Sequence, residues 1–235
     1  MRTDRYYYLS ALPAPGELGN APPMGPSQLL EHVGEETSRG RLVGTVFLLG
    51  DLLEREAFLA GEIEQVEPAV LTVRQARNEA PLPDFLAPPA EGDTDSLEAD
   101  RLWEGYFRHA AETGRTLGSP LLVQWVDFEA ALRNALAAAR AKRLGIEGAG
   151  YLVASDLAET CSEDFSAVLS EWAAAETPLA GLRVVLRARW EWLGRHDAWF
   201  SFSDDELVAY AVRLMLLEQW RRSTHEEELS AGETA

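Results

Sequence analysis

The stretch from Ser119 to Gly145, SPLLVQWVDFEAALRNALAAARAKRLG, commits the middle of the chain to one long helix and sets the class of the fold. Ser119 is a side-chain acceptor placed to cap the first free N–H groups, and Pro120 follows where a missing N–H costs nothing. Lys142 and Arg143 stand where the carbonyl end of a helix is negative, and Gly145 supplies the residue that closes it. Between these ends Leu121, Leu122, Trp125, Phe128, Leu132 and Leu136 recur at three- and four-residue intervals and form one apolar stripe. Asp127, Arg133, Asn134 and Arg140 fall largely elsewhere on that surface. They are candidates for an active site, a contact surface for a partner, or the wet side of a bundle helix.

Upstream, Asp95 and Glu98 have the spacing of a capping box. Leu102, Trp103, Tyr106, Phe107 and Ala110 give one apolar face, which predicts a helix ending at Gly114. The segment EAPLPDFLAPPAEGDTDS, from Glu79 to Ser96, is rich in proline and small acids and reads as a connecting loop, the best internal boundary in the chain. Before it, from Pro26 to about Glu67, apolar residues again recur at helical intervals and two helices fit. RLVGTVFLLG, from Arg41 to Gly50, also fits a short strand, because Val43, Val46 and Phe47 favour extended backbone and Gly44 and Gly50 bracket it. The first 28 residues hold too many prolines and glycines for a regular helix and read as an anchored segment, with Tyr6, Tyr7 and Tyr8 packed on the body.

Downstream, PLAGLRVVLRARWEWLGRHDAWF shows a wide apolar face of Leu182, Val185, Leu186, Trp190, Trp192, Leu193 and Trp199, as expected of a helix sandwiched between others. FSDDEL carries a capping box in Ser203 and Glu206 and a staple in Phe202 and Leu207, and LVAYAVRLMLLEQW after it is apolar nearly all round. Beyond Trp220 the composition turns polar and reads as a frayed tail. These readings predict an all-α, mainly helical chain: a single helical domain over residues 1–225, with its internal boundary at 79–96, and a polar tail over 226–235.

Composition narrows the function classes. A hydrophobic content of 46% with seven Trp supplies a real core, whereas 39 acids against 21 bases give a net charge of -18 that repels nucleic acid and anionic lipid. The lone Cys161 has no disulfide partner, and neither a secretory leader nor an apolar run of about 18 residues is read, so a cytoplasmic protein with no membrane span of its own is expected.

There is no phosphate-binding G-x-x-x-x-G-K-[ST], and Gly148 and Gly150 lack a third glycine. His32, His109, His196 and His225 stand far apart, so no metal is expected; Cys161 lies among acids that raise a thiol pKa. His196 and Asp197 are adjacent on a helix and do not face each other. Neither an enzyme activity nor a cofactor is expected.

Aligning Asp51 with Asp127 sets VFLLGDLLEREAFLA beside VQWVDFEAALRNALA, and DDELVAYAVRLMLLEQW reads as a third version of that design. With YYYLSALP, FLLGDLLERE, LPDFL, LWEGYFRHAA, WVDFEAALRNALAAARAKRLG, EDFS, RARWEWL and FSDDELVAYAVRLMLLEQW in this order, the chain resembles a bacterial family encoded in V-type ATPase operons. That family is similar to the V-type ATPase C subunit, called d in eukaryotes. The resemblance implies an all-helical funnel of pseudo-threefold design that links the central-stalk subunits to the membrane rotor ring for torque transmission in proton or sodium transport. It implies a location at the inner face of the membrane through the ATPase complex. Asp127, Asn134 and the ARAKRLG run echo that family's Asp, Asn and Arg-Ala-Lys, although Asn134 lies further toward the C-terminus than the pattern has it and Asp51 lacks the following Asn. Asp127, Arg133, Asn134 and Arg140 thereby become candidates for contact with the stalk, the other reading being inter-helix pairing. An acidic funnel is expected to steer a basic stalk tip. A stand-alone helical scaffold or adaptor, and an enzyme built from scattered acids and histidines, are the alternatives.

Overall fold

Every regular element among the described residues is helical, and no strand occurs among them. The computed structural model describes residues 11–86, 98–197 and 203–232, the side chains of 98, 149 and 225–232 aside. The helices are α1 (Pro26–Val33), α2 (Ser38–Leu59), α3 (Val73–Ala76), α4 (Glu98–Leu117), α5 (Pro120–Leu144), α6 (Ser155–Ala158), α7 (Ser166–Ala174), α8 (Pro178–His196) and α9 (Asp204–Gly232). Tyr6 to Tyr8, the Asp95–Glu98 box, Trp199 and the staple through Phe202 lie outside the described residues.

The stretch Arg41–Gly50 is helical. Thr37 Oγ1 accepts the Gly40 N–H and starts α2, and Leu42, Val43, Val46, Phe47, Leu49 and Leu52 are all buried. Their strand preference is overridden because α2 meets α1, α4 and α9 on different sides, so residues around most of its circumference find apolar partners. α5 begins and ends as its signals require: Ser119 Oγ accepts the Leu122 N–H, Pro120 is the first helical residue, and Gly145 is left-handed with φ 69°. α9 lies against α1, α2, α5 and α8, and its residues from Leu207 to Leu217 are all buried, which an all-round apolar sequence requires.

Three expectations are corrected. Gly114 does not end α4, which runs on to Leu117 and stops at Gly118, φ 71°. Gly114 instead allows close approach to α5, since a Cβ there would lie 2.9 Å from Val123 Cγ2 and 3.2 Å from Val123 N. Next, α8 does lie between α7 and α9, yet Leu182 on its expected buried face is exposed and Trp190 is only partly covered. Finally, the chain does not fray after Trp220. α9 continues to Gly232, the Arg222 Nη1 donates to Glu54 Oε1 at 2.5 Å, and Ser223 is buried.

Asp51 and Asp127, aligned in the sequence echo, and Asp205 in the acidic start of the third segment have different surroundings. Asp51 accepts from the N–H groups of Ala69, Val70 and Leu71; Asp205 accepts from Ser119 Oγ and Leu121 N–H; Asp127 Oδ1 is buried with no hydrogen-bond partner. No helix among the described residues is long and apolar enough to cross a membrane.

Candidate docking groove

The C-terminal half of α5 forms one wall of an open cavity of about 580 Å3, with α4, α8, Trp172 of α7 and Leu49 and Leu53 of α2 around it. Its floor is an ion pair inside the apolar core. Glu129 on α5 receives Arg189 Nε at 2.8 Å and Nη2 at 2.7 Å, and both side chains are buried. Beside this pair, Tyr106 donates its hydroxyl to Thr45 O, and burial, with Glu129 adding to it, holds the phenol far above its ordinary pKa. Two parallel charge-assisted hydrogen bonds set the orientation of Arg189 against Glu129 and tie α8 to α5 across the floor.

The lip carries the cations. Arg133 lies over the Trp103 ring with its guanidinium carbon 4.5 Å from the centroid, and its Nη2 is 3.8 Å from Asp100 Oδ1, beyond hydrogen-bond reach. Burial lowers the Arg133 pKa, opposed by Glu56 and Asp100 and reinforced by Arg140 and Arg189. Burial also raises the Asp100 carboxyl, although Arg133 counteracts it, and Asp100 Oδ2 is buried with no hydrogen-bond partner. One turn before the end of α5, Arg140 stands 5.8 Å from the Trp172 ring and Arg143 5.5 Å from the same ring. Leu144, Ile146 and Leu182 complete the mouth at 63%, 48% and 41% exposure. An apolar cluster of that kind on a water-facing surface marks an interaction site more often than an isolated exposed leucine does.

The four residues singled out from the sequence part company here. Arg133 and Arg140 line the groove. Asn134 is buried; its Nδ2 donates to Val153 O at 2.8 Å and its Oδ1 accepts the Val153 N–H at 3.0 Å, pinning the segment before α6 to α5. The Ala154 N–H next to it donates to Glu104, which ties the same segment to α4. Asp127 lies outside the groove, toward Cys161, whose thiol is pushed up by burial, with Glu163 and Asp127 adding to it.

No protein-family model, curated protein or solved structure matches this chain.

Several groove residues escaped the sequence reading: Glu129, Arg189, Asp100 and Trp172. A signal for the first two was present, because Glu129 interrupts the stripe of Trp125, Phe128 and Leu132, and Arg189 sits between Leu186 and Leu193. A charge inside an apolar stripe needs a buried partner.

Elsewhere the titratable groups have structural occupations. His196 Nδ1 lies 2.8 Å from Trp192 O and its ring stacks on Trp192 at 4.1 Å, while Asp197 faces Arg213 at 3.0 Å, so the two neighbours point to different partners. His109 stacks on Phe85, and burial together with nearby Arg41 lowers its pKa. Among the described residues no group of three or more His, Cys, Asp or Glu side chains is arranged around a common metal position. Among the described residues the groove lining contains arginines, two carboxylates, aromatics and aliphatics.

Proposed function

We propose that the chain is a non-catalytic component of a V-type ATPase or ATP synthase, similar to the C subunit of V-type enzymes, which joins the central stalk to the membrane rotor ring and transmits torque. The observation that carries the docking role is the groove along α5, where an exposed apolar mouth lies over a floor held by the Glu129–Arg189 pair. A receptor that carries torque needs its helices cross-linked, and the buried bidentate pair supplies one such link between α5 and α8. The ordered sequence resemblance supports the choice of a rotary ATPase, as do the all-helical fold and the absence, among described helices, of one able to cross a membrane. In this role the chain sits at the inner face of the membrane through its partners.

Affinity capture of the tagged chain from its native membranes tests the assignment. Stalk and ring subunits are expected in the eluate, and their absence from a gently solubilised preparation overturns it. A stand-alone adaptor would be captured with other proteins and without ring subunits.

A further inference from the structure

We infer that the groove along α5 is a docking site for an amphipathic helix of a partner protein that carries acidic side chains about two turns apart along its apolar stripe. The inference rests on the docking role proposed above and specifies the chemistry of the docked segment.

Shape is the first argument. From Leu132 to Leu144 the wall of α5 runs for about 18 Å at 1.5 Å per residue, enough to accompany three turns of a second helix. Leu132 and Leu136 line that wall, Leu144 closes one end, and Leu182 stands on the opposite side, as an i, i+3, i+4, i+7 face would require. Among the described residues no element closes the mouth, which leaves a sideways approach open.

Charge is the second argument. The molecule as a whole is at -18, yet the groove's lip is basic. Arg133 and Arg140 are seven residues apart on the same helix, about 10 Å along its axis, and Arg140 is one of the groups that lower the Arg133 pKa. Arg133 is partly compensated inside the chain by Glu56 and by Asp100 at 3.8 Å, whereas among the described residues neither Arg140 nor Arg143 has a carboxylate partner. In a chain with almost twice as many acids as bases, cations left together on an apolar lip are suited to carboxylates brought by another molecule. Both are held over indole rings, which limits the side-chain freedom lost on binding. An acidic stripe thus complements the groove, although the acidity of the whole chain alone would suggest a basic partner.

The test uses the full chain and two fluorescent peptides of about 20 residues that share the same leucine stripe; one carries glutamates seven residues apart beside it and the other lysines. The glutamate peptide should bind at least tenfold more tightly than the lysine peptide. Arg140→Glu should weaken it tenfold or more, and Leu182→Asp should remove binding of both. Arg140 and Leu182 are exposed, so an unchanged thermal midpoint identifies these as interface effects. Equal affinity for the two peptides, no binding of either, or full binding by Arg140→Glu overturns the inference. If the wild-type chain and Arg140→Glu capture stalk and ring subunits equally, the motor assignment stands and the acidic-helix inference fails.

Discussion

Asp51 is nearly out of contact with water, and its two oxygens accept three backbone N–H bonds, from Ala69 at 2.8 Å and from Val70 and Leu71 at 2.7 Å. Burial, with Glu54 adding to it, pushes this carboxyl up to about 6, so the loss of solvation outweighs the three donors. Because the folded pKa lies above the unfolded one, the fold takes up a proton as pH falls through about 6. This group's contribution therefore becomes more favourable as the pH drops and vanishes above about 7. Relative to Asp51→Asn, which does not titrate, the wild-type chain should gain about 1.4 kcal/mol in urea-unfolding free energy between pH 7 and pH 5. A difference between the two proteins that does not change over that range would contradict the assignment. The second residue-scale expectation concerns Glu129. Glu129→Gln leaves the Arg189 cation buried without its counter-charge and should cost about 3 to 5 kcal/mol, whereas Glu129→Leu combined with Arg189→Met should cost much less. Equal losses for the two variants would show that the pair is not the source.

At the scale of the elements, two glycines in helices should respond in opposite directions. In α4, Gly114→Ala gains helix propensity but drives a methyl against Val123 and its backbone nitrogen, and should destabilise by about 1 to 3 kcal/mol. In α8, nothing among the described residues lies within 4 Å of the position a Cβ on Gly194 would take, so Gly194→Ala should stabilise by up to about 1 kcal/mol. Thermal midpoints of the two variants check this, and a shift of the same sign in both would refute the packing account. The Gly114 case also marks how far the sequence can be read. Caps are local, so Ser119, Pro120 and Gly145 were legible as the ends of α5. A glycine that stops a helix and a glycine that lets another helix come close look alike, because the difference lies in α5, not in α4. The polar composition after Trp220 misled for a related reason. Arg222 continues the helix while pairing with Glu218 at i, i+4 and with Glu54 across 168 positions, and only the first partner is visible locally.

On the scale of the whole molecule, the all-helical class was legible from periodicity, but the groove was not, since its parts come from α2, α4, α5, α7 and α8. Arg133 and Arg140 could be selected because they depart from the stripe of their own helix, whereas Trp172 and Asp100 become meaningful only once α7 and α4 are placed beside it. Exposure on one side, as at Leu182, depends on whether another helix arrives to cover it. The position of α9 has a further effect. It packs against α1 and α2, but Asp204 follows Leu59 by 145 positions. At about 5 to 20 residues per second a ribosome needs roughly 7 to 30 seconds to travel that distance, and throughout that interval the apolar flank of α2 lacks its permanent cover. Newly made chains of this protein pass through a sticky adolescence, and those stalled before residue 204 should sediment with aggregates or chaperones while finished chains remain in the supernatant.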